Sequence, residues 1–227
     1  MSDIIAPTKP AAVEAAPVAT VALMDQLPSA DIRAESPLYH ADLATVAKQG
    51  PKTGGVTLQE HKLLGHLVIR GNQDNAGFLA GARAVLGFDL PTQPLTAAED
   101  GALSVRWIAP DEWLVIMPGK EAFELENRLR AAMSGHVAIV NVSGGQTVLE
   151  LSGPDARAVL KKSTPYDVHD RNFPVGKVVT TVFAKSQAVI RRTGEQNWEL
   201  VIRRSFADYL WLWLQDACAE FGLVVKD

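Results

Sequence analysis

The distribution of apolar residues changes character near residue 36. Before it, Ala, Pro and Val mix with polar residues at no fixed period, aromatic residues are absent, and Pro7, Pro10, Pro17 and Pro28 interrupt any regular element. Such a stretch buries too little to offset its ordering entropy, so residues 1–36 are expected to form a leader that is mobile or lies along a partner. Beyond ESPLYH, short apolar runs bounded by turn residues take over, and folded structure is expected to begin.

GGVTLQE and GHLVIRG read as two short strands. From Asn75 to Gly87, Phe78, Leu79, Ala82, Val85 and Leu86 recur at helical spacing, with Gly87 as a C-cap. LPTQPLT reads as a loop, Leu103 to Ile108 and Glu112 to Met117 as strands around the Pro110-Asp111 turn, Ala122 to Met133 as a helix, and VAIVNV as a buried strand. From His66 to Val142 the order is strand, helix, strand, strand, helix, strand, the ferredoxin-like split βαβ arrangement.

The order then starts again. TVLELS is a strand and Pro154 to Lys161 a helix opened by Gly153-Pro154. Strands follow at Val178 to Phe183, Ala188 to Arg192 and Trp198 to Arg203, then a helix from Phe206 to about Phe221 and an edge strand at LVVK. HLVIRGNQDNAGFL aligns with TVLELSGPDARAVL, and DEWLVIM with QNWELVI, which matches Trp113 to Trp198. The expected fold class is α+β: a leader (1–36) and two ferredoxin-like halves (37–142 and 143–227) packed into one body.

Charge narrows the range of partners. Among 227 residues, 22 basic and 26 acidic side chains give a net charge of -4, and the cations are scattered among acids. A nucleic-acid partner, which needs a basic footprint, is not expected. MSDIIAPTKP lacks the basic start and apolar run of a signal peptide, and no stretch reaches the ~20 apolar residues that span a bilayer. Cys218 is the only cysteine, so a reducing, cytoplasmic setting without a membrane partner is the expectation.

Candidate chemistry is sparse. Ser143-Gly144-Gly145 is not followed by the Lys-Ser/Thr of a phosphate loop, and no G-x-G-x-x-G occurs. Gly153-Pro154-Asp155 opens a helix where an anion could bind, but Pro154 in the first turn and Asp155 beside the positive dipole end already explain it as capping. His61 and His66 are five residues apart on or between strands, which does not suit a metal site. His169-Asp170 has the residue types of a general-base pair, but adjacent side chains seldom face each other, and a surface loop is the simpler reading. Cys218 falls in an apolar helix setting that quietens a thiol.

Paired basic residues stand at Lys161-Lys162, Arg191-Arg192 and Arg203-Arg204. Neighbours on a strand face opposite sides, so one of each strand pair is expected on a wet or partner-facing surface. In the last helix, Phe206, Leu210, Trp213, Leu214, Ala217 and Phe221 form the expected core stripe, Leu212 falls nearly opposite beside Asp208, and Trp211 lies on the shoulder. Trp211 and Leu212 are expected to meet either a partner subunit or the first half of the same chain, with Arg203 and Arg204 alongside.

VSGGQTVLELSGPDARAVLKKSTPYDVHDRNFPVG, RTGEQNWELVIRRSFADYLWLWLQDACAEFG, PDEWLVIMPG and LLGHLVIRG together resemble the gamma subunit family of heterotetrameric sarcosine oxidase, over roughly Ser36 to Gly222. The resemblance implies a fold similar to the folate-binding domain of the aminomethyltransferase (glycine-cleavage T protein) class. It implies assembly with alpha, beta and delta subunits, alpha being the main contact. FAD, FMN, NAD and tetrahydrofolate are then expected on alpha and beta, none on this chain. The implied complex oxidises sarcosine to glycine with oxygen, giving hydrogen peroxide and methylene-tetrahydrofolate or formaldehyde, and this chain is expected to be a structural subunit without an active site. The competing reading is a stand-alone folate-dependent aminomethyltransferase-like enzyme or a folate-binding regulatory module. Either needs a polar pocket, and the enzyme also a carboxylate in it, for which Asp155, Asp167 and Glu195 are candidates in turn or cap contexts.

Overall fold

Helices and strands alternate much as the periodicities predict. The computed structural model describes residues 33–227. In chain order the elements are α1 (Leu43–Gln49), β1 (Val56–His61), β2 (Leu64–Gly71), α2 (Ala76–Leu86), β3 (Ala97–Asp100), β4 (Leu103–Ala109), β5 (Glu112–Pro118), α3 (Ala122–Ala132) and β6 (Val137–Asn141). They continue with β7 (Gln146–Ser152), α4 (Ala156–Ser163), β8 (Val178–Phe183), β9 (Ser186–Gly194), β10 (Asn197–Arg203), α5 (Ala207–Cys218) and β11 (Leu223–Lys226). Among the described residues the strands form a five-stranded sheet, β3-β4-β5-β2-β6, and a six-stranded sheet, β11-β1-β7-β10-β9-β8.

The repeat is visible in the strand order. In the first sheet β4-β5-β2-β6 is the ferredoxin-like antiparallel order, with β3 added at one edge. In the second, β9-β10-β7 and β11 follow the same order with β8 added at the same edge, but β1 is inserted between β7 and β11. Trp113 and Trp198 stand at the second position of the equivalent strands β5 and β10, both fully buried toward their helices.

β1 crosses the division expected at 142/143. β1 lies in the sequence of the first half yet pairs antiparallel with β7 (Leu58 opposite Leu151) and parallel with β11 (Val56 opposite Leu223). Val56 and Leu58 complete the apolar face of the second sheet, and no local signal in VTLQE announces which sheet will receive it. Residues 33–227 accordingly cluster as one compact unit. Two elements go beyond the sequence expectations: the short helix α1, capped by the Asp42 carboxylate accepting from the Thr45 N–H at 3.3 Å, and edge strand β3, which directly follows the LPTQPLT loop.

Three apolar cores hold the layers together. Leu67, Ile69, Trp113 and Val115 pack against Phe78 of α2 and Leu129 of α3. Leu149, Leu151, Trp198 and Leu200 pack against Leu160 of α4 and Leu210 and Leu214 of α5. The opposite sheet faces meet through a small core of Leu114, Ile116, Val148 and Val201. The central strands are thus buried on both sides, which is why WLVIM reads as an unbroken apolar run.

The reading of the leader falls outside the described residues for 1–32. Residues 33–36 are fixed by specific contacts: buried Ser36 donates to the Glu60 carboxylate at 2.9 Å, and Arg204 donates to the Glu35 carbonyl at 3.3 Å.

Candidate docking surface

Helix α5 begins at Ala207, so Phe206 lies in the preceding turn and Phe221 beyond the last helical residue, Cys218. Both belong to the core stripe that the helical period predicts, and the observed stripe is rotated from it. The buried face is Ala207, Leu210, Trp211, Leu214, Ala217 and Cys218. Trp211 therefore belongs to the core under the second sheet, a correction to its place on the shoulder, and that core also includes Leu38 and Leu43 from the chain's first half. Leu212 is 58% exposed, and Phe206 and Tyr209, one turn apart each, extend the exposed apolar line. Neither stands out in the sequence, since the helical period puts Phe206 on the core stripe and a single Tyr209 carries no mark of exposure.

Arg203 and Arg204 adjoin this line and are both exposed. Arg203 makes only a long contact to the Gln187 side-chain oxygen at 3.4 Å, and among the described residues neither guanidinium has a carboxylate within ion-pair distance. Arg191 and Arg192 differ from the expectation that one of them faces water. Arg191 turns into the contact between the sheets and pairs with Glu99 at 2.6 Å. Arg192 turns the other way and donates to the carbonyls of Phe173, Gly194 and Glu195 at 2.8, 3.0 and 2.7 Å, and pairs with Asp170 at 2.6 Å. Arg192 is buried with several acceptors at once, whereas Arg191 has the Glu99 carboxylate and leaves its buried Nε without a partner among the described residues.

The inter-sheet contact carries an alternating line of charges. Glu99 on β3 meets Arg191 on β9, Arg191 stands opposite Glu199 on β10, and Glu199 pairs with Arg106 on β4. Arg106 is wholly buried and has two nitrogens without a partner. Burial lowers its pKa to about 10 despite the support of Glu199. Nearby His66 is also wholly buried, its ring nitrogens have no partner, and burial with the charge of Arg106 pushes its pKa down to about 4. Strand alternation placed neither residue in sequence, because their burial comes from the second sheet.

The other candidate sites resolve into architecture. Asp155 takes the N-cap position of α4 with no side-chain cap bond, and its N–H donates to the Gly55 carbonyl at 2.9 Å, so that group is not available to an anion. Gly153 has φ +113°, and a Cβ there would lie 2.5 Å from the Gly55 oxygen. His169 is exposed and its Nδ1 accepts from the Arg171 N–H at 3.2 Å, while Asp170 is engaged by Arg157 and Arg192, which hold its carboxyl far below the usual range. The groove of about 460 Å³ beside Trp198 holds Glu195 but neither Asp155 nor Asp167; the latter accepts from the His169 N–H and the Asn172 amide. His61 pairs with Glu150 at 2.9 Å, and burial pushes the Cys218 thiol up to about 11. Among the described residues no cluster of three metal-binding side chains occurs, and no helix is long and apolar enough to cross a membrane.

Comparison with known proteins gives the surface a context. Residues 70–220 match the sarcosine oxidase, gamma subunit family. The sarcosine oxidase subunit gamma of Corynebacterium sp. (strain P-1) is 39% identical over 189 residues, covering 82% of this chain and 91% of that protein. A chain of the heterotetrameric sarcosine oxidase from Corynebacterium sp. U-96, solved with pyrrole 2-carboxylate, matches with a TM-score of 0.75 at 32% identity, over 86% of this chain and 98% of that one. The glycine cleavage aminomethyltransferase T of Bartonella henselae shares the fold, with a TM-score of 0.59 at 16% identity over 83% of this chain and 58% of that one.

Proposed function

We propose that this chain, which belongs to the sarcosine oxidase gamma subunit family, is the non-catalytic gamma subunit of a heterotetrameric sarcosine oxidase and contributes surface and shape to its assembly. Its complex oxidises sarcosine to glycine in the cytoplasm. FAD, FMN, NAD and tetrahydrofolate reside on the alpha and beta subunits, and alpha is the principal contact. The observation that carries the docking role is the exposed line Phe206, Tyr209 and Leu212 beside Arg203 and Arg204, an apolar stripe flanked by cations that lack carboxylate partners within the described chain. Trp211, buried beneath it, holds the helix in place.

Co-expression with alpha, beta and delta subunits, affinity capture through this chain and a visible spectrum test the proposal. A yellow complex and a colourless isolated chain are expected. Bound flavin, turnover of an N-methyl amino acid or saturable tetrahydrofolate binding by the pure chain would overturn it in favour of an independent enzyme or folate module.

A further inference from the structure

Toward one end of their contact the two sheets part and leave a cleft of about 320 Å³. Val68, Ile108 and Leu114 line it from the first sheet, and Val189 and Val201 from the second. Three polar groups interrupt these apolar walls. Gln146 lines the cleft with a buried side-chain oxygen that has no donor among the described residues. Arg203 lines it from β10, and Glu112 from β5, neither in an ion pair among the described residues. One strand beyond the lining, Val140, the cross-strand partner of Val68, is 50% exposed, and Val182, the cross-strand partner of Gln187, is 47% exposed.

We propose that this cleft is a socket for one large apolar side chain of a partner subunit, carried on a segment that offers a carboxylate to Arg203 and an N–H donor to Gln146 and Glu112. The inference rests on the docking role assigned above and names where and by what chemistry the partner is held. The volume stands at the small end of the ~300–1,000 Å³ range of binding cavities and suits a single aromatic or branched side chain. Charge complementarity defines the rest of the occupant. The buried and half-buried arginines Arg106, Arg157, Arg191 and Arg192 each have a carboxylate, whereas Arg203, exposed on the cleft lining, has none among the described residues. With Glu112 on β5 and Arg203 on β10, the lining carries opposite charges from the two sheets and orients an incoming segment. An unsatisfied buried acceptor beside an apolar void is a state that a partner's donor relieves.

The test uses the full chain co-expressed with the other subunits. Val189→Trp fills the cleft from within, Arg203→Glu reverses the charge on its lining, and a photo-crosslinking residue at Thr180 reports what enters. Both substitutions are expected to leave the melting curve of the isolated chain unchanged and to weaken capture of the partner subunits about tenfold or more. The crosslink is expected on a partner peptide that contains an apolar residue next to Asp or Glu. Wild-type assembly by Val189→Trp, a crosslink to a second copy of this chain, or no crosslink in the assembled complex overturns the socket. If Val189→Trp misfolds, the Thr180 crosslink alone decides. Normal assembly of Val189→Trp together with failed assembly of Leu212→Asp removes the socket but keeps the docking role, whereas failure of the wild-type chain to capture any subunit removes both.

Discussion

Replacing Glu199 by Gln keeps its shape and removes the charge that faces Arg106. The guanidinium side chain is 2% exposed, two of its nitrogens already lack partners, and its pKa stands at about 10 with Glu199 present. Burial therefore costs this cation about 3 kcal/mol even when paired, and breaking a buried pair by removing one partner typically costs about 3–5 kcal/mol. Glu199→Gln should destabilise the chain by about 3 kcal/mol, a melting shift of about 6–12 °C for a protein of this size. The reverse change is milder. Arg106→Met removes the ion that suffers from burial, and the Glu199 left behind is 23% exposed and still faces Arg191 across β9 and β10. It should cost about 1 kcal/mol, and the double variant should regain most of the stability lost in Glu199→Gln. Urea unfolding of the four proteins in a double-mutant cycle measures this. Glu199→Gln within about 1 kcal/mol of wild type, or Arg106→Met costing more than Glu199→Gln, refutes the reasoning.

His66 gives the contact a pH dependence. Between its ordinary pKa of 6.5 and its folded value of about 4 the unfolded chain binds a proton that the folded chain refuses, so stability is complete above 6.5 and declines as pH falls toward 4. The loss is about 3 kcal/mol, and His66→Leu should flatten the urea midpoint between pH 7 and 5; parallel curves for the two proteins would count against it. Gly153→Ala should lower stability by about 1–3 kcal/mol, read by thermal melting, because the residue needs positive φ and a Cβ would press on the Gly55 oxygen. Leu212→Asp should change the isolated chain by no more than about 0.5 kcal/mol and weaken subunit capture about tenfold; unchanged capture in a pull-down would clear Leu212 of a role.

Elements whose signal is local were legible in the sequence. Alternation and end signals placed β2, α2, β4, β5, α3 and β7 to β10 within a few residues, and the Trp113/Trp198 alignment marked strands that prove equivalent. What escaped depends on distant partners. β1 read correctly as a strand but not as part of the second sheet, because VTLQE carries no mark of β7 or β11. Arg191 and Arg192 were expected to leave one side wet, and only the fold reveals Glu99 on one side and the loop carbonyls with Asp170 on the other. The α5 surface was half legible: Leu212 stood out against the helical period, but a stripe drawn through Phe206 and Phe221 misplaced Trp211.

The position of β1 sets a timetable for biosynthesis. β1 leaves the ribosome well before β11, one of its two neighbours, because the chain between them runs from Val56 to Leu223. At about 5–20 residues per second, Val56 and Leu58 wait roughly ten to thirty seconds before both neighbours have emerged. The nascent chain can close its first sheet during that interval, but the second lacks its edge strand β11, the parallel neighbour of β1, until Leu223–Lys226 has emerged. For the same reason a gene cut between the two repeats would give a C-terminal product with a missing rib and an N-terminal product with a sticky spare one.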